Sequence, residues 1–153
     1  MNSIEFIIEG VLNNISYLFC DCSSLKKIEF ISFETEEVTN MTGMFQNCCE
    51  IEYLELSNFN TSNVNDMGYM FNQCNKLKEI KGIDNFSTIN VINMSGMFKE
   101  YNELEYLYLS NFNTSKVTDM ECMFNECHKL KEIRGINRFN TSKVNNMTGM
   151  FQE

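Results

Sequence analysis

Seven cysteines are the side chains of this 153-residue chain with the widest chemical capacity, because thiolates ligate metals and pairs of thiols form disulfides. No C-x-x-C spacing of the kind found in structural zinc sites occurs. Three of the cysteines lie outside the column that the other four share, namely Cys20, Cys49 and Cys122. The other four share one column of a repeating pattern, at Cys22, Cys48, Cys74 and Cys127. Such a column points into a core, where a thiol packs as a small apolar group. We therefore expect these four to be buried and reduced and predict no metal site, with disulfides and metal ligation as the alternatives.

His128 is the only histidine, so a Cys–His or Ser–His–carboxylate nucleophile could exist only there. It occupies a position where the other repeats carry Ser, Glu or Asn, which indicates an exposed turn. The adjacent carboxylates Glu36 and Glu37 are typical of a solvated surface, and no glycine-rich phosphate loop is present. We therefore predict no catalytic residue, no cofactor and no enzymatic activity, and in particular no activity that depends on His128.

The formal net charge of −9 is spread along the chain. This excludes the concentrated basic patch that a nucleic-acid partner requires, and it disfavours an anionic membrane surface. No apolar run is long enough to span a bilayer, so no membrane insertion is expected. The N-terminus carries Glu5 and Glu9 and no basic residue before Lys26, unlike a secretory signal. An intracellular location is the default expectation, and the compartment stays open.

The methionines reveal the organisation of the chain, because ten of the eleven fall in two repeating columns. A Met-Phe pair recurs every 26 or 27 residues, at Met44, Met70, Met97, Met123 and Met150, and Leu18-Phe19 fits the same series. The second methionine column lies three residues earlier, at Met41, Met67, Met94, Met120 and Met147. Columns beside valine and phenylalanine are typical of core positions rather than of a soft-metal site.

A single repeat combines two kinds of apolar spacing. Leu54-Glu55-Leu56 alternates apolar and polar residues, which predicts a short strand. The polar stretch 57–63 predicts a turn anchored by Phe59. Apolar residues then fall at Val64, Met67, Met70 and Phe71, and these spacings favour one or two helical turns, with a second short strand near Val64 as the alternative.

A repeat this short cannot bury its apolar side alone, so we expect the repeats to stack. The predicted fold class is an α/β repeat solenoid, a leucine-rich-repeat-like superhelix of about five turns of 26 or 27 residues. It has one parallel sheet with short helical or 3-10 turns opposite. Strand centres are predicted at Ile28, Leu54, Ile80, Leu107 and Ile133. The 27-residue turns contain an extra glycine, Gly82 or Gly135, which predicts a bulge.

The predicted domain organisation is one solenoid domain over residues 1–153. Residues 1–19 form a cap-like segment, in which Glu5 and Glu9 add charge. The repeats follow at 20–45, 46–71, 72–98, 99–124 and 125–151.

The recurring motif also carries a family resemblance. Asn-Phe-Asn-Thr-Ser followed by Val-x-x-Met-x-x-Met-Phe stands at 58–71 and 111–124, and at 139–151 with Arg138 before it. This pattern resembles the BspA-like leucine-rich repeats, more narrowly the branch known as a mycoplasma-type surface-protein repeat of unknown function. The resemblance implies a leucine-rich-repeat fold and a non-catalytic binding module that acts at a cell surface or on a host.

The outward side of the predicted strands is the candidate binding surface, because the repeat constrains its residues least. It presents residue types that are enriched in binding hot spots, with charged neighbours: Tyr53, Glu55, Lys81, Tyr106, Tyr108 and Arg134. The alternative is that these are ordinary cross-strand neighbours. A protein partner is expected. A structural rod or self-assembling intracellular repeat protein is the second functional hypothesis. The apolar C-terminal end predicts either a longer array or end-to-end self-association through Met147, Met150 and Phe151.

Overall fold

The computed structural model describes residues 10–30 and 33–153. Within these ranges, short strands and 3-10 helices are joined by turns and irregular chain, and there is no α-helix. The four strands are β1 Tyr53–Glu55, β2 Glu79–Lys81, β3 Tyr106–Tyr108 and β4 Glu132–Arg134. Two 3-10 helices follow β2 and β4 directly, at Ile83–Asn85 and Ile136–Arg138.

The strands form two separate parallel sheets. In one sheet β1 pairs with β2, with Leu54 opposite Ile80, and in the other β3 pairs with β4, with Leu107 opposite Ile133. These four predicted strand centres therefore lie in the middle of strands. Ile28 does not lie in a strand, although its neighbour Lys27 makes a single parallel bridge to Tyr53.

The predicted fold class is wrong. A leucine-rich-repeat-like superhelix requires one continuous sheet with helical turns opposite it, whereas the described residues contain two two-stranded sheets and mostly turns. The 3-10 helices follow the strands in the chain and are not the elements predicted from the Val-x-x-Met-x-x-Met-Phe spacing. The cap predicted for 1–19 lies partly outside the described residues, since 1–9 with Glu5 and Glu9 are not described, and the repeat boundaries stay predictions.

Backbone conformation explains why the methionine segment is not helical. Gly43 and Asn47 both have φ of about 60° (58° and 61°), in the left-handed region, which interrupts an α-helix every four residues. The turns close with bonds three residues apart, such as Met44 N–H to the carbonyl of Met41 (3.2 Å). Other amides donate to the next repeat instead, as Phe45 N–H does to the carbonyl of Met70 (2.9 Å). Apolar residues spaced by three therefore suit a series of turns as well as a helix.

A continuous column of parallel bridges runs along this part of the chain. We call it the bridge column, and its members are Asn14, Asn40, Asp66, Asn93, Asp119 and Asn146. Each side-chain Oδ1 accepts the N–H two residues later, as at Asn93 and Ser95 (2.9 Å), which fixes the local turn. The Nδ2 of Asn93 also donates to the carboxylate of Asp66 (3.1 Å), so a neutral amide separates the charges of Asp66 and Asp119.

Replacing Asn93 with aspartate tests this separation of charges. Asn93→Asp removes a donor to Asp66 and sets three carboxylates in succession, so we expect a loss of about 1.5–3 kcal/mol in unfolding free energy at pH 7. Crowded carboxylates have a raised pKa in the folded state, so the loss shrinks as pH falls from 7 toward the ordinary carboxyl pKa of about 4. Chemical denaturation at pH 7 and at about pH 4 measures it. Asn14→Asp is the control, because its bridge partner Asn40 is neutral; equal losses in both variants would contradict the expectation.

Stacked phenylalanine rings form the centre of the core. Neighbouring rings are 5.4–5.9 Å apart and nearly parallel, through Phe19, Phe45, Phe71, Phe98, Phe124 and Phe151. Both methionine columns pack beside them and are buried, except that Met147 is exposed. The methionines therefore act as core residues, as predicted.

A further column alternates large and small residues: Tyr17, Gly43, Tyr69, Gly96, Cys122 and Gly149. We call it the alternating column. All six residues have positive φ, and each larger side chain lies over the glycine of the next repeat. A Cβ added at Gly96 would overlap the ring of Tyr69, so the glycine provides the space that the tyrosine ring occupies.

The column cysteines are only partly as predicted. Cys48 and Cys74 are fully buried, whereas Cys22 and Cys127 are half-buried, and all seven cysteines are free thiols. The Cys48 thiol donates to the carbonyl of Phe19 (3.1 Å), and Cys74 and Cys127 make the equivalent bond. Burial raises the pKa of Cys48 to about 12, that of Cys127 to about 11, and that of Cys74 well above its usual range.

Burial should make Cys48 and Cys74 inert to alkylation. In the native protein at pH 8 we expect neither thiol to react with iodoacetamide, because the reactive thiolate is scarce and inaccessible, and both to react once the chain is denatured. Cys48, Cys49 and Cys74 share one tryptic peptide, so digestion with trypsin and a glutamate-specific protease, followed by tandem mass spectrometry, gives the labelling at each position. Cys49 and Cys122, which are partly exposed, serve as internal controls that should react first. If Cys48 in the native protein were labelled as fast as Cys122, the prediction would be wrong.

Candidate binding site

The outward side of the strands carries all six of the predicted site residues. Tyr53 and Glu55 lie on β1, Lys81 on β2, Tyr106 and Tyr108 on β3, and Arg134 on β4. Each strand alternates exposed and inward residues, so these six side chains point away from the core and are exposed. The three tyrosines are 45–54% exposed, so their rings are open to solvent on this side.

Charged neighbours hold several of these side chains in place. Lys81 Nζ lies 2.6 Å from a carboxylate oxygen of Glu55, and its hydrogen bond, with one from Ser57 N–H, lowers the pKa of Glu55 to about 2. The guanidinium of Arg134 lies 5.0 Å from the ring centroid of Tyr108, a cation–π contact. The cross-strand neighbours foreseen as an alternative are therefore present, and they orient an exposed surface rather than remove it.

A groove opens on this side between the two sheets; we call it the β2–β3 groove. Its volume is about 730 Å³, and four predicted site residues line it, namely Tyr53, Lys81, Tyr106 and Tyr108. The other two predicted site residues each contact a residue that lines the groove: Glu55 forms an ion pair with Lys81, and Arg134 lies over the ring of Tyr108. The volume lies within the range of about 300–1,000 Å³ of ligand pockets.

The groove exists because the chain between β2 and β3 is one residue longer than elsewhere. Strand centres 26 residues apart are paired, whereas Ile80 and Leu107 are 27 apart and are not. Gly82 takes up the extra residue in a left-handed conformation (φ 86°), and a Cβ there would lie 2.5 Å from the backbone of Ser57. The chain therefore turns back over the preceding repeat. The next residue, Ile83, enters the core at the start of a 3-10 helix.

A second departure from the repeat pattern coincides with the missing pairing between β2 and β3. Tyr101 occupies the cysteine column in the repeat that leads to β3, and its much larger ring is fully buried. Its hydroxyl has no hydrogen-bond partner in the described part of the chain, and burial raises its pKa well above the usual range. The bridge column continues past this point without interruption, from Asn93 to Asp119. The separation is therefore confined to the strand side.

Several residues that line the groove were not among the predicted site residues, namely Glu79, Ile83, Asp84, Leu104 and Glu105. The extra Gly82 is the available sign of the groove in the sequence, but a bulge in a continuous sheet is what it predicts. The structure shows it ending β2 at Lys81 and starting a 3-10 helix.

The other side chains that could react or bind a metal do not form a site together. His128 is exposed, and the neighbouring Cys127 thiol donates to the carbonyl of Phe98 (3.1 Å) with a pKa raised to about 11 by burial. That thiol is therefore held in its protonated, unreactive form. Across residues 10–30 and 33–153, no three His, Cys, Asp or Glu side chains are grouped so that they could hold a metal ion. The same residues include no helix of the length and apolarity needed to span a bilayer.

Repeats joined in register by parallel bridges, with a groove on the strand side, define a tandem-repeat protein. One family model matches it twice, over residues 13–106 and 77–153, so that the two matches together cover nearly the whole chain. The chain belongs to the family described as Mycoplasma protein of unknown function, DUF285. Comparison with curated proteins and with solved structures gave no match.

Proposed function

We propose that this chain is a non-enzymatic protein-interaction module that binds a partner through the outward side of its strands. The observation that carries the proposal is the set of three half-exposed tyrosines, Tyr53, Tyr106 and Tyr108, around one groove. Tyrosine supplies large contact area at low cost in side-chain entropy, and hot spots are rich in it. Arginine is also enriched in hot spots, and Arg134 lies beside Tyr108.

The repeat motif relates this proposal to the BspA-like leucine-rich repeats. The kinship that we propose is one of sequence motif and of binding role, at a cell surface or toward a host, and it leaves aside the fold class corrected above. The dispersed cysteines and the exposed His128 favour binding over catalysis.

The test compares partner capture by variants of the immobilised chain. The double variant Tyr106→Ala, Tyr108→Ala should weaken capture of the partner by at least about tenfold, as expected for hot-spot residues. Ile89→Ala is the matched control, because Ile89 is also about half exposed (49%) but lies on a turn away from the strands. Equal capture by the wild-type chain and the tyrosine variant would refute this binding surface.

Self-assembly is the second candidate function, and the C-terminal end favours it. Phe151 is 58% exposed and lines a cavity of about 320 Å³ together with Phe124, Leu130 and Ile133, and Met147 is 45% exposed. Light scattering over a concentration series should then show a mass increase that Phe151→Glu abolishes; a mass independent of concentration would exclude self-assembly.

A further inference from the structure

Two strand edges meet at the β2–β3 groove without pairing. β2 pairs only with β1 and β3 only with β4, and no hydrogen bond joins β2 to β3 in the residues described. Free edges that face solvent present unpaired N–H and C=O groups, which can add a further strand. An extended segment from another chain is the natural complement to such an edge.

The direction of the existing hydrogen bonds shows which groups are free. Alternate residues of a parallel strand bond to opposite sides. Leu109 N–H donates to the carbonyl of Arg134 (2.8 Å), so the odd-numbered residues of this segment bond toward β4. The N–H and C=O groups of Tyr106 and Tyr108 therefore point into the groove.

The edge of β2 has fewer free backbone groups than the edge of β3. Leu56 N–H donates to the carbonyl of Lys81 (2.9 Å), so Lys81 bonds toward β1 and only Ile80, within β2, faces the groove. Gly82 then turns the chain away. Since β3 has two residues with free backbone groups and β2 has one, β3 is the stronger template.

The charges that line the groove select the occupant. Four of the ionisable side chains already form ion pairs with residues of a neighbouring repeat: Lys78, Lys81, Glu103 and Glu105. Two further carboxylates, Glu79 and Asp84, are exposed and have no ion pair among the described residues. The uncompensated charge of the groove is therefore negative, and the tyrosine rings beside it are faces on which a cation can rest.

We propose that the β2–β3 groove binds an extended peptide segment with alternating basic and apolar residues, which adds a strand to the free edge of β3. Strand side chains alternate between two sides, so the basic residues would face Glu79, Asp84 and the tyrosines. The apolar residues would face Ile83 and Leu104, which line the inner wall. The proposal rests on the proposed binding function and names the partner class for that same surface.

A designed peptide is the probe. The peptide Thr-Lys-Val-Lys-Val-Lys-Thr-amide, labelled with fluorescein at its N-terminus, should bind the chain in fluorescence polarisation, and the labelled counterpart with glutamate at the three lysine positions should not. The double variant Glu79→Gln, Asp84→Asn should weaken binding of the lysine peptide about tenfold, as the loss of two favourable charge contacts implies. Glu126→Gln is the control, because Glu126 is an exposed carboxylate outside the groove with no ion pair in the described part of the chain. Equal binding of both peptides would overturn the proposal.

Backbone pairing is tested separately. Two versions of the lysine peptide, N-methylated at the odd or at the even residues, remove the donors on one side or the other. We expect one version to lose at least about tenfold in affinity, and the amides of Tyr106 and Tyr108 to become slower in hydrogen exchange when the unmodified peptide binds. Unchanged affinity of both methylated peptides, or unchanged exchange at Tyr106 and Tyr108, would refute strand addition.

The two levels of the hypothesis fail in different ways. If the tyrosine double variant loses its natural partner but the lysine peptide does not bind, the binding function stands and the partner class is wrong. If the tyrosine double variant keeps its natural partner, the binding surface itself is wrong, whatever the peptide does.

Discussion

Phe71→Ala should cost about 3–5 kcal/mol of unfolding free energy, a large part of the total stability of an ordinary domain. Phe71 is fully buried and its ring is stacked between Phe45 (5.9 Å) and Phe98 (5.8 Å), so its removal leaves a cavity bounded on both sides by repeats that cannot move together. The bridge column holds the spacing of those repeats. Urea denaturation measures the loss as a shift in midpoint at unchanged slope.

Phe151→Ala is the matched control for that experiment. Phe151 belongs to the same stack, but among the described residues its ring stacks on that of Phe124 alone (5.4 Å), and it is mostly exposed. We therefore expect its removal to cost less than about 1 kcal/mol. If Phe71→Ala does not fold, Phe71→Leu gives a smaller loss that can still be measured. Equal costs for the two alanine variants would show that the stack does not stabilise the protein.

Gly96→Ala should destabilise the protein more than Gly149→Ala does. Its φ of 56° costs a residue with a side chain about 1–2 kcal/mol, and the overlap of the new Cβ with the Tyr69 ring adds about 1–3 kcal/mol. Gly149→Ala has a similar φ (63°), but the nearest atom is the Cys122 sulfur at 3.2 Å, so only the first cost applies fully. Unfolding free energies of the two variants give the comparison.

A double-mutant cycle separates the two contributions. Adding Tyr69→Ala to Gly96→Ala removes the overlap but not the backbone cost, so the double variant should be less unstable than the sum of the two single variants. Strict additivity would mean that the tyrosine ring moves aside freely, and that the alternation of large and small residues has no role in packing.

The sequence predicted the core and two of the strand pairings correctly, because both depend on columns, whereas the predicted pairing of Ile80 with Leu107 is absent. Any arrangement that brings equivalent residues of successive repeats together buries Phe71, Met67 and Val64, so these positions could be predicted without the correct fold class. The same logic placed Leu54 opposite Ile80. The choice between helix and turns did not follow from apolar spacing, because both satisfy a spacing of three. It depends on the positive φ at Gly43 and Asn47.

The candidate site was predictable in its residues but not in its shape. Alternation along each strand was enough to place Tyr106 and Tyr108 outward. The groove beside them depends on how one extra residue, Gly82, is accommodated, and on a tyrosine at position 101 where other repeats have cysteine. A glycine in a strand pattern is compatible with a bulge or with the end of the strand. Packing against Ser57 of the neighbouring repeat decides between them, and this is a tertiary contact.

The alternating column limits how the copy number of the repeats can change. Deleting the single repeat 72–98 would bring Tyr69 against Cys122, two larger side chains where the structure has room for one beside a glycine. Deleting the pair 72–124 would instead bring Tyr69 against Gly149, which restores the fit of ring on glycine. The bridge column gives the same result, since a single deletion would join Asp66 directly to Asp119, whereas the paired deletion would join Asp66 to Asn146. Recombination that removes residues 72–98 alone should therefore destabilise the protein, whereas removal of the pair 72–124 should yield a folded one.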